Sequence, residues 1–260
     1  MGTATESTAV EGPKRALLVC GGKFHDFDFV RLRLLSLLGD HPDIRTRVRE
    51  DYEDVDTLAD ADLLVSYTCD VRPTEETQHA LRRWVEAGGR WLALHATSAA
   101  VEPTPEGVVT PAVTPHLYET LGNRFVSHPP LGPFAVTVSD PSHPFTAGLD
   151  EFEARDELYL CEYHPPLTPL LETRFTGTFR GYVDNDWPDD EPRLVAYHKA
   201  WGEGGVLYDT LGHCAGRWDL RPLMDDFGRT ERGSWDIPVH EELIRRGISW
   251  AAGYDDQGLG

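Results

Sequence analysis

Short, uninterrupted apolar runs alternate along the first hundred residues with segments in which apolar side chains recur every three or four positions. The runs at 16–20, 63–67 and 91–94 are typical of strands that a parallel sheet buries on both faces. The segments at 26–39 and 73–87 have the period of amphipathic helices, and glycines mark the end of both. A weaker alternation at 44–48 predicts a more exposed strand, and the acidic stretch 51–62 predicts a loop with a short helix.

The order of these elements is strand, helix, strand, strand, helix, strand. This order predicts an α/β fold of the flavodoxin-like kind, with a doubly wound, mostly parallel sheet. The second half of the chain is more elaborate, with strands expected at 134–138 and 158–161. Two apolar runs, 194–198 and 206–211, flank a glycine-rich turn and predict a β-hairpin. The period at 239–252 predicts a final amphipathic helix.

Residues 101–133 hold many prolines, threonines and glycines and show no period. We therefore expect a long irregular loop there. Because such loops in compact domains are usually functional, we expect this one to cover a site. The chain is interpreted as one domain at 15–253, with a disordered tail at 1–14 and a short tail at 254–260.

Acidic residues outnumber basic ones by 44 to 24, and the formal net charge is −20. Such a chain repels phosphate backbones and anionic membrane surfaces, so nucleic acid and membranes are not expected as partners. The four cysteines lack the two-residue spacing of zinc knuckles and redox motifs, which predicts reduced thiols. No run approaches the ~18 apolar residues of a membrane span, and residues 1–13 lack the pattern of a secretory leader. We therefore expect a cytoplasmic protein.

A histidine directly follows the apolar run that ends at Leu94. In open α/β sheets ligands bind beyond the carboxyl ends of the strands, and His95 occupies that position. Its imidazole could serve as a general base, as a hydrogen-bond donor to a sugar oxygen or as a metal ligand. The alternative is a buried histidine that backbone groups satisfy.

Two further histidines follow predicted strands at the same rim. His25 and Asp26 come after the first strand, where they could form an oriented base or two ligands, and Asp26 is equally suited to cap the next helix. His213 follows a glycine after the last strand, which would let a ligand approach closely. The neighbouring Cys214 is interpreted as an inert thiol.

A set of spaced motifs runs in order from about residue 15 to residue 253. The motifs are Gly88-Gly89 to Leu94-His95, Phe125-Val126-Ser127-His128, His143 to Leu149, Asp156-Glu157-Leu158-Tyr159, His198 to Gly205, Leu211-Gly212-His213 and Arg246 to Ala251. Each motif is weak alone, but the set is specific and resembles the ThuA-like family of trehalose utilisation. That family is similar in fold to the class I glutamine amidotransferases, which agrees with the doubly wound pattern.

The resemblance implies a specific change of chemistry at His95. In class I amidotransferases a cysteine nucleophile on a strand-to-helix elbow holds this position, so the resemblance implies a protein without glutaminase activity. The family is associated with disaccharides such as trehalose and with their 3-keto derivatives, which implies a small-molecule carbohydrate as substrate. The acidic motif of the family makes Glu157 a candidate acid, base or metal ligand.

Three side chains are candidates for binding substrate. His128, at the end of the irregular segment, is expected to enter the same pocket. Trp187 and Trp201 lie in polar, loop-like contexts and could stack on a sugar, although packing under loops is the more frequent reason for such residues. His143 begins a His-Pro-Phe-Thr motif and is interpreted as a turn residue.

Two classes of function follow from these candidates. In the first, the chain is an enzyme of carbohydrate metabolism whose histidines and Glu157 move protons, with the hydrolase, isomerase and lyase classes all open. A divalent metal such as zinc could assist, held by His25, Glu157 and His213. In the second, it is a non-catalytic sugar-sensing or partner-binding module. No nucleotide cofactor is expected, because the glycine motifs that bind phosphates are missing, and the oligomeric state, including a homo-oligomer, stays open.

Overall fold

The computed structural model describes residues 12–254, so the predicted tails at 1–14 and 254–260 lie outside the described residues except for 12–14 and 254, and the first strand already begins at residue 14. The strands of this part of the chain are β1 (Lys14–Gly22), β2 (Ile44–Arg49), β3 (Leu63–Cys69), β4 (Arg90–Leu94), β5 (Glu102–Thr104), β6 (Gly107–Val109), β7 (Asn123–Ser127), β8 (Gly132–Val138), β9 (Phe152–Asp156), β10 (Leu160–Tyr163), β11 (Thr168–Arg174), β12 (Gly177–Thr178), β13 (Asp186–Trp187), β14 (Pro192–Trp201) and β15 (Gly204–Asp209). Its helices are α1 (Phe27–Gly39), α2 (Val55–Ala59), α3 (Glu75–Glu86), α4 (Pro115–Leu121) and α5 (Pro238–Ala251).

Nine strands form one mixed sheet in the order β2-β1-β3-β4-β15-β14-β11-β8-β9. The first five of these strands pair in parallel, and the last five, counted from β15, pair antiparallel. The β14–β15 pair is the predicted hairpin. The predictions of a doubly wound α/β fold and of an elaborated second half are confirmed.

Helices cover both faces of the parallel half of the sheet. Leu18 points to one face and packs in a cluster with Leu34 of α1 and Ile248 of α5. Leu17, its neighbour along β1, points to the other face and packs in a cluster with Leu81 of α3 and Trp91 of β4. Successive side chains of a strand alternate between faces, and burying one leucine contributes about 1.5–3 kcal/mol. This double burial explains why the strands read as uninterrupted apolar runs.

The prediction of an irregular loop at 101–133 is wrong. These residues contain the small hairpin of β5 and β6, the helix α4 and the strand β7. Strands of three residues and a helix of seven are too short to produce a recognisable period. The helix carries the signals of its ends, with Pro115 in its first turn and Gly122 in the left-handed region after it.

Two strands of the antiparallel half were not predicted, and a third begins later than expected. β9 carries charged residues at three of its five positions, and β11 has only two adjacent leucines between polar residues and a proline, so neither strand reads as an apolar run. The strand predicted at 158–161 is β10, which begins at Leu160 because Leu158 and Tyr159 belong to the preceding loop. That loop contributes to the site described below.

Candidate functional site

Three histidines and one glutamate meet at the carboxyl edge of the sheet. His25 follows β1, His95 follows β4 and His213 comes after β15, so parallel strands bring all three to the same edge. Glu157 reaches this point from the loop between β9 and β10. One nitrogen or oxygen of each side chain lies within 4.8 Å of those of the other three. We call these four residues the central cluster.

His95 lies on a tight turn at the end of β4. Its φ of 47° is in the left-handed region, where a side chain is strained, and residues held there cluster at functional sites. The imidazole is fully buried and stacks on Tyr67, with ring centroids 5.7 Å apart. Its Nδ1 donates to the carbonyl of Thr210 at 2.8 Å. Because a carbonyl only accepts, Nδ1 carries the proton and Nε2 of the neutral ring is an acceptor.

The ring of His25 is held in the same way. Its Nδ1 donates to the carbonyl of Lys23 at 3.2 Å, and its Nε2 lies 3.0 Å from Nε2 of His95. The hydroxyl of Tyr159 lies 3.0 Å from that same nitrogen of His95 and donates to it. When both rings are neutral, the two Nε2 lone pairs therefore face each other without a proton between them.

His213 is placed by a buried carboxylate. Asp156 accepts hydrogen bonds from the backbone N–H groups of Gly212, His213 and Ser234, at 2.8, 3.0 and 2.9 Å. The imidazole lies between two glutamates, with Nε2 3.3 Å from Glu231 and Nδ1 3.2 Å from Glu157. Nδ1 is buried and, among the described residues, makes no hydrogen bond that meets the usual geometry.

The charges of this pair follow from its contacts. Burial raises the pKa of Glu157, but the neighbouring His128, His213 and His95 outweigh burial and hold that pKa well below its usual value. Burial likewise lowers the pKa of His213, but the charge of Glu157 and the contact with Glu231 outweigh it and raise the pKa to about 10. In the chain without bound ligands, Glu157 is therefore ionised and His213 carries a proton.

His25 and His128 are neutral. Burial, with the nearby imidazoles of His95 and His213, lowers the pKa of His25 well below its usual value. Burial also lowers the pKa of His128, whose Nδ1 donates to the carbonyl of Pro129 at 2.7 Å. The Nε2 of His128 lies 3.2 Å from Glu157, whose carboxylate it shares with the imidazoles of the cluster.

A pocket opens over the central cluster. Its floor carries His25, His128, Glu157, Tyr159 and His213, and the fully buried His95 lies behind them. The walls are apolar and aromatic, formed by Phe24, Ala99, Val101, Val108, Phe125, Tyr182, Leu220 and Leu223, and Cys69 also lines the pocket. Part of this wall comes from residues 101–128, so this segment does cover the site, although it is ordered into short elements. A few polar groups that converge under an apolar wall are typical of small-molecule sites.

Comparison with known proteins places this geometry in a family. The family model described as trehalose utilisation, ThuA, matches residues 32–225 of the 260. The chain belongs to the ThuA family.

Solved structures support the fold of this ThuA-family chain. A ThuA-like protein from Bacteroides uniformis superposes with a TM-score of 0.62 at 16% identity, covering 95% of each chain. A ThuA-like protein from Parabacteroides merdae gives 0.57 at 17% identity, with 92% and 90% covered. A protein from Thermoplasma acidophilum that is described as part of a GMP synthase gives 0.50 at 12% identity, with 96% and 100% covered. At these identities the likeness concerns the fold alone, which is the glutamine amidotransferase-like fold.

Two further findings concern this ThuA-family chain. Among curated proteins, none matches the sequence. Within residues 12–254, no helix combines the length and the apolar character that crossing a bilayer requires.

Asp26, predicted as a catalytic partner of His25, does not join the central cluster. Its carboxylate accepts from the N–H of Phe29 at 3.1 Å, which caps α1, and from Arg232 at 2.9 Å. The capping role that the sequence favoured equally is the one that the structure shows. Its charge is engaged by an arginine rather than by the imidazoles.

The two predicted sugar-stacking tryptophans lie outside the pocket. Trp201, at the tip of the β14–β15 hairpin, donates to the carbonyl of Thr120 and packs under Arg82. Trp187 donates to the hydroxyl of Ser127 and lines a separate surface depression. Both indoles use their N–H within the fold, as packing under loops predicts. The aromatic wall is instead built from Phe and Tyr side chains.

Two residues that touch the cluster were given no role in the site from the sequence. Tyr159 lies in the acidic motif of the family, two positions after Glu157, so the motif itself was the signal for it. Glu231 contacts His213 from a segment without a recognisable motif, and Arg229 holds its carboxylate at 2.8 Å. Only the fold brings Glu231 to the histidine.

Proposed function

We propose that this ThuA-family chain is an enzyme that acts on a disaccharide or a keto-sugar derivative by proton transfer, without glutaminase activity. The description of the family as trehalose utilisation supports carbohydrate as the class of substrate. The observation that carries the proposal is the central cluster, in which ionisable groups from four separate segments meet on the floor of an aromatic pocket.

The pocket offers the two kinds of contact that a sugar needs. The rings of Phe125 and Tyr182 present apolar faces on which the C–H face of a sugar ring can stack. On the floor, Glu157, His128 and His213 present polar atoms toward the same space, where hydroxyl or carbonyl oxygens would bind. An apolar wall above a polar floor matches a molecule that has both surfaces.

The charge states support proton transfer. The pocket holds an ionised Glu157 with a neutral His128 and a protonated His213, each within contact distance of that carboxylate. A neutral imidazole can accept a proton from a hydroxyl or from a carbon beside a carbonyl, and a neighbouring carboxylate stabilises the imidazolium that results, which can return the proton. Hydrolysis, isomerisation and elimination all use such a pair. His95 does not reach the pocket and positions its neighbours through His25 and Tyr159.

The absence of glutaminase activity in this proposal rests on the residues at the elbow and in the pocket. His95, which has no thiol, occupies the end of β4. Cys69 is the cysteine that lines the pocket, and burial raises the pKa of its thiol well above the usual value. A protonated thiol is a poor nucleophile, so Cys69 does not supply the missing function.

The test is turnover of candidate sugars by the full chain. Trehalose, sucrose and their 3-keto derivatives are incubated with the protein, and products are separated by chromatography. General acid–base groups contribute about 10²–10⁴-fold, so Glu157→Gln is expected to lower kcat/KM by that factor. The matched control is Glu75→Gln, which changes an exposed glutamate beside two other histidines and leaves turnover unchanged.

Other outcomes would decide against the proposal. Saturable sugar binding without turnover favours the non-catalytic sugar-binding module. Turnover that Glu157→Gln leaves intact contradicts the assigned chemistry. A chain that neither binds nor converts these sugars contradicts the substrate class.

A further inference from the structure

In each imidazole of the central cluster, one ring nitrogen contacts a group outside the cluster, and the other ring nitrogen faces the centre of the cluster. Nδ1 of His25 and Nδ1 of His95 donate to the carbonyls of Lys23 and Thr210. In His213 the outer nitrogen is Nε2, which contacts Glu231, and Nδ1 faces inward. Metal-bound histidines characteristically use their second nitrogen in this way, because the outer contact fixes the tautomer and the ring orientation.

The inward-facing nitrogens of His25 and His95 have no hydrogen-bond donor between them. The Nε2 atoms of His25 and His95 face each other at 3.0 Å, and the hydroxyl of Tyr159 can supply a proton to only one of them. Nδ1 of His213, on a side chain that is 4% exposed, is buried without a hydrogen bond from any described residue. Buried polar atoms without partners are costly, and one metal ion at the centre, in place of the proton on His213, would satisfy all of these atoms at once.

We propose that the central cluster is a binding site for one divalent transition-metal ion, with Nε2 of His25, Nε2 of His95, Nδ1 of His213 and the carboxylate of Glu157 as ligands. Zinc fits this set best. Three imidazoles and one carboxylate suit zinc and its neighbours, whereas calcium and magnesium prefer oxygen ligands.

The spacing of the ligand atoms agrees with such an ion. Ligands at the zinc–nitrogen distance of 2.0–2.1 Å in a tetrahedron lie about 3.3 Å from one another. The separations are 3.0 Å between the two Nε2 atoms, 3.5 Å from Nε2 of His95 to Oε2 of Glu157 and 3.2 Å from Oε1 of Glu157 to Nδ1 of His213. All four side chains offer a ligand atom within 4.8 Å of the others, so movements of the side chains alone would close the cluster around an ion.

The position of the ion deepens the proposed function, and its catalytic meaning rests on that function. With the ion bound, Nδ1 of His213 has released its proton, and the neutral His128 remains as the proton acceptor of the pocket. Glu157 and His213 line the pocket, so an ion among these ligands lies at the pocket floor. There it would meet the carbonyl or hydroxyl oxygens of a bound keto-sugar, which divalent ions polarise. Binding of the metal itself depends only on the four side chains and their outer contacts.

A second group of potential ligands lacks these features. Glu75, His79 and His116 also lie close together, but Glu75 is 78% exposed and each imidazole is 3.8 Å from it. Water can satisfy all three side chains. This group carries no proposal and provides the control.

The experiment uses the purified full chain, stripped with a chelator and titrated with Zn²⁺ by calorimetry, and with Co²⁺ as a spectroscopic probe. We expect one equivalent of Zn²⁺ per chain and the intense visible absorption of tetrahedral Co²⁺. Loss of an outer-shell partner alone weakens metal sites 10–100-fold, so loss of a ligand in His25→Ala should weaken Zn²⁺ binding by more than about 100-fold. His79→Ala should leave the affinity and the Co²⁺ spectrum unchanged, and circular dichroism checks that both variants are folded.

The outcomes separate this proposal from the proposed function. Wild-type protein that takes up no Zn²⁺ and gives no tetrahedral Co²⁺ spectrum overturns the metal site, and this holds even if His25→Ala fails to fold. Sugar turnover by such metal-free protein would leave the proposed function standing. Stoichiometric Zn²⁺ in a protein without sugar turnover would support the site and contradict the function. Zn²⁺ binding lost in His79→Ala instead would place the ion at the exposed group.

Discussion

Within residues 12–254, two separate sets of histidine and glutamate side chains are each closely spaced, and the two sets differ in the groups that hold their outer atoms. The central cluster is buried, and backbone carbonyls or Glu231 hold the outer nitrogen of each imidazole. In the exposed group, the rings of His79 and His116 lie 4.3 Å apart and the carboxylate beside them is mostly in water. Residue types are the same in both groups. The difference shows that fixed orientation and burial, rather than composition, make a set of side chains a candidate site.

A comparison of two buried carboxylates sharpens this point. Glu157 has imidazoles at 3.2–3.5 Å, and its pKa is held well below the usual value. Asp209, at the end of β15, has the imidazole of His240 at 3.7 Å, and burial raises its pKa to about 8. Burial, with the charge of Asp156 nearby, therefore favours the neutral form of Asp209, whereas burial among several close imidazoles keeps Glu157 ionised.

The largest effect on stability is expected from Asp156→Ala. This change leaves the N–H groups of Gly212, His213 and Ser234 buried without an acceptor. Each unsatisfied buried group costs about 1–3 kcal/mol, so the free energy of unfolding should fall by at least about 3 kcal/mol, measured by urea denaturation. Asp140→Ala removes a carboxylate that accepts from Ser142 in a surface turn and should change stability far less. If both variants lost the same free energy of unfolding, the hydrogen bonds of Asp156 would contribute no more to stability than those of a surface turn.

Asp209→Asn is expected to change how stability depends on pH. In the folded chain Asp209 keeps its proton up to about pH 8, whereas in the unfolded chain it loses the proton near its ordinary pKa of 3.8. The folded state therefore binds more protons across this window, and the contribution of Asp209 to stability falls as pH rises from about 4 to about 8. Asparagine does not ionise, and its Oδ1 can still accept from the N–H of Leu211, which Asp209 contacts at 3.0 Å.

The measurement is the difference in Tm between Asp209→Asn and the wild type at pH 5 and pH 8. Since 1 kcal/mol shifts Tm by about 2–4 °C in a domain of this size, the difference should move in favour of the variant by at least about 3 °C. Titrating groups that do not contact Asp209 are common to both proteins and cancel. A difference that stays constant with pH would mean that Asp209 is already ionised in the folded chain.

The contrast between groups also explains how far the sequence could predict this molecule. His25, His95 and His213 follow strands of the parallel half, whose uninterrupted apolar runs are visible because both faces are buried. Their meeting point follows from topology. Glu157 could be predicted as a site residue only from the family motif. The strand that precedes it, β9, has no apolar run by which it could be recognised in the sequence.

Other features of the site depend on contacts that no local pattern records. Glu231 meets His213 across 18 positions of chain, and the carbonyl of Thr210 meets His95 across 115. These contacts decide which nitrogen of each ring faces inward. Trp201 and Trp187, the candidates for stacking on a sugar, use their N–H groups within the fold, as the alternative of packing under loops predicts, while Phe125 and Tyr182 form the aromatic wall.

The smallest effect is expected from His116→Ala in the exposed group. His116 is about one-third exposed, and the carboxylate that it approaches, at 3.8 Å, is that of the mostly solvated Glu75. Surface substitutions of this kind usually change stability by less than about 0.5 kcal/mol, so urea denaturation should give nearly the wild-type free energy of unfolding. Sugar turnover should also be unchanged, because this group lies outside the pocket. A loss of turnover in His116→Ala with unchanged stability would break the comparison, since it would assign a function to the histidines that lack buried support.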